Sequence, residues 1–568
     1  FGEAAFGTVE LKISNDVAGR SMEVHLAEVL AADGSIDQKP GGSRRYRKMT
    51  LPLEAGERTY TVVIPSDARN SGGAAIKVKE FMPDVMPFRY CELAGVPQGL
   101  KKVDVAQIVA HYHFDDAAAS FSCSDKVLND VWNLCKHSIK ATTFTGVYID
   151  GDRERIPYEG DAYINQLCHY AMDREYSLAR YSTEYLIAHP TWPAEWQMHM
   201  PLMAWNDYLY TGNRDLLAAS YDDLAAKTLI ALAREDGLIV EDKAKMTAAF
   251  KSSLHLDQDI RVLVDWPASS KALASGERDG YDMKPVNTVA NAFHYHTLIV
   301  MKQIADALGK KADARNWEEA SGKVKGSFNR VFFNTQKKCY IDAEGSGHSA
   351  LHANMFALAF GLVPTEHVPS VIEFIKSRGM ACSVYGAQHL LDGLYHAGAA
   401  DYALSLLTAT NDRSWFHMQE AGSTITMEAW DNKYKENQDW NHAWGAAPGN
   451  IIPRLLMGIE PLEAGFARVR IRPQLGSLQQ AKVVHPTIRG PISVEVSQQS
   501  STWSASVIVP ANTVAEFHVP VADPSRVKEA KRPAGKSPSV KFLRIEQGSA
   551  VFEIAGGNYS FEATLPKK

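Results

Sequence analysis

One stretch of the chain reads Asp150-Gly-Asp152-Arg153-Glu154-Arg155-Ile156-Pro157-Tyr158-Glu159-Gly160-Asp161. It crowds five carboxylates and two arginines around one proline and two glycines, which argues against a continuous helix or strand. Amphipathic helical patterns precede and follow it, so we predict a loop that joins two core helices. Carboxyl groups this close raise one another's pKa, which suits a proton donor near neutral pH. The alternative is a solvated charged loop with local ion pairs.

The size and composition of the chain are those of a globular protein of several domains. It has 568 residues, 45% hydrophobic and 22% charged, with a formal net charge of −6. It shows no Lys/Arg-rich run and no RNA-binding signature, so we do not expect nucleic acid as a partner. No apolar stretch approaches the roughly 18 residues of a membrane span. Six scattered cysteines predict buried thiols rather than disulfides.

Both ends of the chain carry strand patterns. Short alternating runs separated by Gly, Asp and Ser turns predict an N-terminal antiparallel β-sandwich over residues 1–115. These runs cover residues 9–13, 22–26, 60–64 and 75–79. Because the first run starts so early, we expect this domain to be truncated upstream. Four similar runs predict a C-terminal β-sandwich over residues 458–568. They cover residues 467–471, 492–496, 503–507 and 515–519.

Helical periodicity governs the region between, residues 116–457. The first helix has one apolar stripe behind a predicted Ser124 cap, and the stripe consists of Leu128, Val131, Trp132, Cys135 and Ile139. Similar stripes recur near 160–172, 174–188, 198–210, 213–235, 286–308, 310–331, 350–361, 364–377, 381–396, 400–410 and 440–457. About twelve helices in six hairpins fit an (α/α)6 barrel, and a plain bundle or solenoid is the alternative. We therefore predict a multidomain α+β protein whose central (α/α)6 barrel is flanked by two antiparallel β-sandwich domains.

Tryptophans gather in loops of the predicted helical domain. Such a ring beside Asp or Glu in a proline-broken loop combines a flat apolar face with polar acceptors, which favours saccharide binding. The tryptophans in loops are Trp192, Trp196, Trp266, Trp430, Trp440 and Trp444. We expect the helical Trp132, Trp205 and Trp317 to be core residues instead.

Two glutamates meet the basic requirement of glycoside hydrolysis, which needs one carboxyl group to protonate the leaving oxygen and another to activate water or attack the sugar. Glu154 and Glu428 are far apart in sequence but both lie in predicted loops. No nucleophile elbow, phosphate-binding loop or His-Glu-x-x-His motif is present. His294 and His296 point to different helix faces, so we expect no metal and no cofactor.

The acidic clusters resemble those of the α-L-rhamnosidases of glycoside hydrolase family 78. The family signature reads roughly Asp-Cys-Pro-x-Arg-Glu-Arg-Leu-Gly-Trp-x-Gly-Asp, and Arg153-Glu154-Arg155 and Gly160-Asp161 match its spacing. Ile425-Thr-Met-Glu428-Ala-Trp-Asp431 resembles the family's Thr-Ile-Trp-Glu-Arg-Trp-Asp, and Asn441-His442 falls where the family has Leu-Asn-His. Weaker similarity at residues 1–7, 27–30 and 470–473 extends the resemblance over essentially the whole chain.

This resemblance implies an enzyme that removes terminal α-L-rhamnose by inversion. It implies Glu154 as the general acid and Glu428 as the general base, with a water between carboxyls about 6.5–9.5 Å apart. It also implies that Asp161, with Asp150 or Asp152, binds sugar hydroxyls. The substrate-binding candidates are Asp150, Asp152, Arg153, Tyr158, Asp161, Trp196, Asp265, Trp266, Trp430 and His442. For His442 the alternative is a buried, hydrogen-bonded core histidine.

The chain departs from the family pattern in the middle of the first motif. Ile156-Pro157-Tyr158 replaces Leu-Gly-Trp, and the stretch before Arg153 is one residue shorter. Either Asp150 or Asp152 can therefore hold the family's first aspartate position. The alternatives are a related (α/α)6 exo-glycosidase acting on another sugar and a non-catalytic carbohydrate-binding protein.

We expect a rhamnose-containing oligosaccharide or glycoside as the binding partner. The sequence leaves open whether the protein forms a homodimer. An extracytoplasmic location, periplasmic or secreted, is expected from the kind of substrate rather than from the chain.

Overall fold

The computed structural model describes residues 1–565 except residues 17, 99, 272 and 275. Strands occupy both ends of the described chain and helices occupy its middle, which confirms a mixed helix and sheet fold. The named sheets are antiparallel except at one pair of strands, residues 468–471 with 514–517. The strands before the helices are β1 (Ala5–Asn15), β2 (Arg20–Ala27), β3 (Tyr46–Leu53), β4 (Gly56–Thr61), β5 (Met86–Phe88), β6 (Tyr90–Ala94), β7 (Leu100–Val109) and β8 (Ser120–Cys123).

The N-terminal strands form two antiparallel sheets around one apolar core. The strand β1 pairs with β4, β5 and β7, and the second sheet has the order β3-β2-β6. Alternate residues such as Val9, Leu11 and Val24 point into the shared core. The predicted strand at residues 75–79 is wrong. Its apolar residues instead pack on a small cluster that contains Phe144, and the amide of Ile76 donates to the Arg155 carbonyl (2.8 Å).

Helices dominate from residue 126 to residue 456. They are α1 (Lys126–Ala141), α2 (Glu159–Met172), α3 (Ser177–Ala188), α4 (Ala194–Thr211), α5 (Asp215–Ala219), α6 (Tyr221–Ala226), α7 (Ala248–Ser253), α8 (Thr288–Ala307), α9 (Lys311–Phe332), α10 (Leu351–Ala359), α11 (Val368–Arg378), α12 (Val384–His396), α13 (Ala400–Leu407), α14 (Trp415–Glu420) and α15 (Pro448–Ile451). A short hairpin, β9 (Phe333–Asn334) and β10 (Cys339–Tyr340), follows α9. None of the described helices is both long and apolar enough to cross a membrane.

These helices fall into two kinds. The helices α2, α4, α8, α10 and α12 are buried on nearly every side and contact one another in the series α2·α4, α4·α8, α8·α10 and α10·α12. The helices α9 and α11 pack on α8 and α10 and bury only one apolar stripe. An inner series of helices is thus covered by outer helices.

Several predicted helix boundaries differ from the structure. The cap of α1 is Asp125, whose carboxylate accepts from the Leu128 amide (3.0 Å), whereas Ser124 accepts from the Gln479 amide. The predicted helix at 213–235 is broken into α5, α6 and a 3-10 turn. Ser220 has non-helical backbone angles between α5 and α6, and Leu229 has a positive φ of 60° before the 3-10 turn. The predicted helix at 440–457 consists of a 3-10 turn, α15 and a π turn. Pro448 lies at the start of α15, and Pro453 lies at the start of the π turn.

The C-terminal strands form two further sheets, of which one includes a strand from before the helices. The strands are β11 (Ile459–Pro461), β12 (Arg468–Ile471), β13 (Gln480–His485), β14 (Ile492–Gln498), β15 (Thr502–Val509), β16 (Val514–Val519), β17 (Val527–Glu529), β18 (Arg532–Pro533), β19 (Val540–Glu546), β20 (Ser549–Ile554) and β21 (Gly557–Thr564). The sheet orders are β11-β12-β16-β20-β19 and β18-β17-β21-β15-β14-β13-β8. The strand β8 therefore ties the start of the helical region to the C-terminal sheets. All six cysteines are free thiols.

Candidate active site

A cavity of about 250 Å³ lies where the two acidic sequence clusters meet. Its lining residues are Asp150, Arg153, Glu154, Tyr158, Asp161, Trp192, Trp196, Leu263, Trp266, Glu428, His442 and Trp444. One wall comes from residues 150–161, called here the acidic loop, whose last three residues form the start of α2. Another wall comes from residues 425–442, called here the Glu428 loop. The structure thus brings together most of the site residues predicted from sequence, although Asp152, Asp265 and Trp430 do not line the cavity.

A tight turn at Gly151 shapes the acidic loop. Gly151 has a φ of 120°, and a Cβ atom there would lie 2.7 Å from an Asp439 carboxylate oxygen, so only glycine fits. Asp150 closes the loop: its backbone amide donates to the Ile156 carbonyl and its carboxylate accepts from the Ile156 amide, both at 2.9 Å. The turn therefore separates the side chains of Asp150 and Asp152, of which only Asp150 lines the cavity.

The guanidinium of Arg153 connects the two glutamates. Its Nη1 atom donates to both carboxylate oxygens of Glu428 (2.7 and 2.9 Å), and its Nε atom donates to Glu154 (3.2 Å). Lys435 adds a second cation beside Glu428, with 3.3 Å between Nζ and Oε1. The Glu428 side chain is 2% exposed whereas that of Glu154 is 36% exposed. One carboxylate is therefore enclosed between two cations, and the other lies nearer to solvent.

His442 lies between two buried carboxylates. Its Nε2 atom is 2.7 Å from Asp161 Oδ1, and its Nδ1 atom is 3.2 Å from Asp439 Oδ1. Burial disfavours the imidazolium, but these carboxylates outweigh burial and raise the pKa of His442 well above its ordinary value. His442 was predicted to be either a residue of the pocket or a buried, hydrogen-bonded histidine. Its ring lines the cavity and also contacts two carboxylates, so it fits both descriptions.

Asp150 differs from the other acidic residues that line the cavity. Its Oδ1 atom is used within the loop, but its Oδ2 atom is buried without a hydrogen-bond partner among the described residues. Burial raises the pKa of Asp150 well above its ordinary value. A protonated carboxyl can both donate to and accept from a hydroxyl group of a ligand.

Aromatic rings form the rest of the wall. Tyr158 and Trp196 meet edge to face with 5.3 Å between ring centroids, and the Tyr158 hydroxyl donates to Glu154 (3.2 Å). Gly160 allows this arrangement, because a Cβ atom there would lie 2.7 Å from Trp196 Nε1. The glycine of the Gly160-Asp161 motif is therefore required by close packing rather than by backbone conformation.

Three predicted site residues do not line the cavity but contact the segments that form its wall. Asp152 pairs with Arg45 and Arg155 and accepts from Asn70 (3.1 Å). The other two, Asp265 and Trp430, are buried in the protein interior.

Asp265 contacts His352 Nε2 (2.7 Å) and accepts from the amide of Ser383, the cap residue of α12 (2.9 Å). It thereby anchors the loop that presents Trp266. Trp430 is fully buried, donates to the Cys382 carbonyl (2.7 Å) and packs edge to face on Trp415. We therefore place Asp152, Asp265 and Trp430 outside the cavity, as supports.

Three lining residues and two supporting ones were absent from the predicted site. Leu263 is presented by the buried Glu195, whose carboxylate accepts from the amides of Leu263 (2.9 Å) and Val264 (2.8 Å). Trp192 and Trp444 carry the same signal that identified Trp196, a tryptophan in a loop near acidic residues. No sequence signal indicated the supporting residues Lys435 and Asp439.

A group of possible metal ligands also lies here. Glu428, Asp439 and His442 each offer one atom, all within 4.8 Å of one another, and no other such group occurs in the part of the chain that the structure describes. Both ring nitrogens of His442 already contact carboxylates, so an ion would have to displace one of them.

Comparison with known proteins places this chain among rhamnosidases. The model of the bacterial α-L-rhamnosidase six-hairpin glycosidase domain matches residues 116–456, and that of the bacterial α-L-rhamnosidase C-terminal domain matches residues 458–533. An α-L-rhamnosidase of Streptomyces avermitilis is 24% identical, with 99% of this chain and 51% of the relative covered. One from Alteromonas sp. is 25% identical, with 63% and 38% covered.

Two solved structures share the fold. The complex of the Streptomyces avermitilis α-L-rhamnosidase with L-rhamnose has a TM-score of 0.75 at 20% identity, with 99% of this chain and 51% of that chain covered. The α-L-rhamnosidase from Dictyoglumus thermophilum has a TM-score of 0.77 at 20% identity, with 100% and 61% covered. The chain thus spans about half the length of the Streptomyces relative.

Proposed function

Because the chain belongs to the bacterial α-L-rhamnosidase six-hairpin glycosidase family, we propose that it hydrolyses terminal α-L-rhamnosidic bonds of oligosaccharides or glycosides. The family resemblance seen in the sequence is thereby confirmed. The observation that carries the proposal is the meeting of Glu154 and Glu428 at one tryptophan-lined cavity.

We also propose that the domains follow the predicted boundaries, 1–115, 116–457 and 458–568. The inner helices α2, α4, α8, α10 and α12 contact one another in series and are covered by outer helices, which supports closure into an (α/α)6 barrel. The paired N-terminal and C-terminal sheets, each with buried alternate residues, support β-sandwiches. In such a barrel, loops between helices would build a site at one mouth, and the meeting of the acidic loop and the Glu428 loop at one cavity supports this arrangement.

Glu428 is the proposed general base. A base must carry negative charge before the reaction, and Arg153 and Lys435 stabilise that charge in a buried position. Its neighbour Trp444 donates to the Glu428 carbonyl (3.0 Å), which fixes the backbone beside the carboxylate.

Glu154 is the proposed general acid. Its greater exposure leaves space for the leaving group, and the hydroxyl of Tyr158 orients it. Arg153 contacts the two glutamates through different nitrogen atoms, so one guanidinium group separates the two carboxyls. This arrangement fits inversion, in which a water molecule must enter between the base and the sugar.

The reaction then proceeds in one displacement. Glu428 takes a proton from a water molecule, the water oxygen bonds to the anomeric carbon, and the bond from that carbon to the leaving oxygen breaks. Glu154 transfers its proton to the leaving oxygen. The sugar is released with its anomeric configuration inverted, as β-L-rhamnose.

Polar and aromatic groups are available to hold the sugar ring. Asp150 has one carboxyl oxygen without a partner among the described residues, which can bind a hydroxyl group, and the Asp161–His442 pair supplies further polar atoms. Trp196 and Trp266 offer flat faces to the C–H groups of the ring. A cavity of about 250 Å³ suits a single monosaccharide unit, which supports the removal of terminal residues.

Turnover of an aryl α-L-rhamnoside by single-site variants tests this proposal. We expect Glu154→Gln and Glu428→Gln each to lower kcat by at least about 100-fold, because each amide keeps the shape but cannot transfer the proton. Glu436→Gln is the matched control, since Glu436 lies in the same loop but pairs with Lys271. Unchanged kcat in both active-site variants would contradict the assignment. Binding of rhamnose without release by the unmodified protein would indicate a carbohydrate-binding protein instead.

A further inference from the structure

We propose that Glu28, which follows β2 in the N-terminal sheets, is a positioning residue of the active site that sets the spacing of its two loops through Asn441. The expected effect of Glu28 on turnover rests on the proposed function, whereas the hydrogen bond between Asn441 and Glu28 does not. Glu28 is almost fully buried and lies outside the cavity. The N-terminal β-region would thus be part of the catalytic apparatus rather than an appended domain.

The amide group of Asn441 joins three separate segments. Its Oδ1 atom accepts from the backbone amide of Asp152 (2.7 Å), and its Nδ2 atom donates to Glu28 Oε1 (3.0 Å). Asn441 immediately precedes His442, and Asp152 immediately precedes Arg153. The bridge therefore connects the two loops one residue away from side chains that line the cavity.

Glu28 and Asp152 are also linked by a second route. The other carboxylate oxygen of Glu28 accepts from the backbone amide of Arg45 (2.6 Å). The guanidinium of Arg45 in turn binds both the carboxylate and the carbonyl oxygen of Asp152. The residues Glu28, Asn441, Asp152 and Arg45 form a closed ring of buried hydrogen bonds. Removal of one acceptor leaves a buried donor unpaired, which displaces the remaining members.

Glu28 determines which way the Asn441 amide faces. Asn441 presents Oδ1 to the Asp152 amide while its Nδ2 group faces Glu28, and this acceptor favours that orientation over the flipped one. A glutamine at position 28 has one accepting oxygen for two donors, Asn441 Nδ2 and the Arg45 amide. Burial raises the pKa of Glu28 to about 8, so the comparison with glutamine is made above pH 8, where the Glu28 carboxylate is ionised and accepts at both oxygens. The substitution Glu28→Gln therefore keeps the volume but opens the ring.

Other contacts keep the N-terminal region docked when the ring is open. The amide of Ser43 donates to the Gln438 carbonyl (3.1 Å), and its hydroxyl donates to the Asn437 carbonyl (2.8 Å). Arg155 reaches the carbonyl of Val85 (2.7 Å) from the acidic loop. Because these bonds do not involve Glu28, its substitution tests loop spacing rather than domain attachment.

The test compares Glu28→Gln with Glu92→Gln in two measurements. Glu92 lies in the same N-terminal sheets and accepts from the Ile36 amide (3.2 Å), away from both catalytic loops. The first measurement is kcat and KM with an aryl α-L-rhamnoside. The second is hydrogen–deuterium exchange of the peptide that contains the Asp152 amide, which needs no turnover. Glu28→Asp is a second variant, should the glutamine variant fail to fold.

For Glu28→Gln we expect kcat to fall at least tenfold with KM changed less than threefold, and the Asp152 amide to exchange at least tenfold faster. The control should match the unmodified protein in both measurements. Unchanged exchange at Asp152 would overturn the proposal, and so would a kcat equal to that of the control. If the unmodified protein released no rhamnose, the proposed function would fail while the exchange measurement still decided the role of Glu28.

Discussion

Lys435→Met removes one of the two cations beside the proposed base. Methionine preserves most of the stem that packs near Trp266, while the Nζ atom 3.3 Å from Glu428 Oε1 is lost. Burial lowers the pKa of Lys435, although Glu428 opposes that change. The variant therefore tests whether the charge of Lys435 supports an ionised base at the pH of the reaction.

The separation of the two atoms sets the size of the effect. At 3.3 Å and an effective dielectric constant of about 20, the attraction between unit charges is about 5 kcal/mol. Arg153 remains in place, and water that enters beside the shorter side chain screens much of the lost attraction, so we expect a net loss of about 1.4 kcal/mol. That loss corresponds to about one pH unit. Because the cation favours the ionised base, its removal moves the acid limb of the pH profile of kcat/KM upward.

The assay is the pH dependence of kcat/KM with an aryl α-L-rhamnoside. Lys433→Met is the matched control, since Lys433 lies two residues away but pairs with the exposed Asp412. We expect the acid limb to rise by about one pH unit in Lys435→Met and to stay in place in the control. An acid limb at the same pH in both variants would refute an electrostatic role for Lys435.

Two further predictions concern the walls of the cavity. In Gly160→Ala the added Cβ would lie 2.7 Å from Trp196 Nε1, so the indole must shift. We expect KM to rise about fivefold and the free energy of unfolding to fall by about 1–3 kcal/mol. An unchanged KM in steady-state assays would contradict this prediction. Since the pKa of His442 is raised by its carboxylate partners, its stabilising effect is full below about pH 6.5 and is lost as pH rises through the raised pKa. The Tm advantage over His442→Gln should therefore shrink from pH 7 to pH 10, and a constant difference in thermal unfolding would count against it.

The acidic loop shows what sequence patterns could and could not predict. Motif spacing placed Glu154 and Asp161 at the cavity, but Asp150 and Asp152 could not be told apart. In an extended chain, residues two apart share a face. The positive φ of Gly151 breaks that rule, so the two side chains separate. A turn of this kind depends on Asp439 and Asn441, which are nearly 300 residues away.

The tryptophans also show that a sequence pattern cannot predict which side chains face the cavity. Trp430 and Trp444 both follow Glu428 and are equivalent as sequence signals, yet Trp430 is buried against Trp415 while Trp444 lines the cavity. Which ring faces a cavity is decided by partners such as Cys382, whose carbonyl accepts from Trp430. Long, periodic helices such as α1 and α9 were predictable because each carries one apolar stripe that the local sequence reveals. The strand predicted at 75–79 failed because its apolar residues pack against distant segments instead of pairing.

The anomeric form of the sugar released shows whether Glu154 and Glu428 act by inversion. Hydrolysis of an aryl α-L-rhamnoside followed by proton NMR, faster than mutarotation, shows the first product formed. If Glu154 protonates the leaving oxygen while Glu428 activates a water on the opposite face of the sugar, β-L-rhamnose appears first and the α-anomer accumulates only later. First appearance of the α-anomer, or no release of rhamnose by the unmodified protein, would contradict the account.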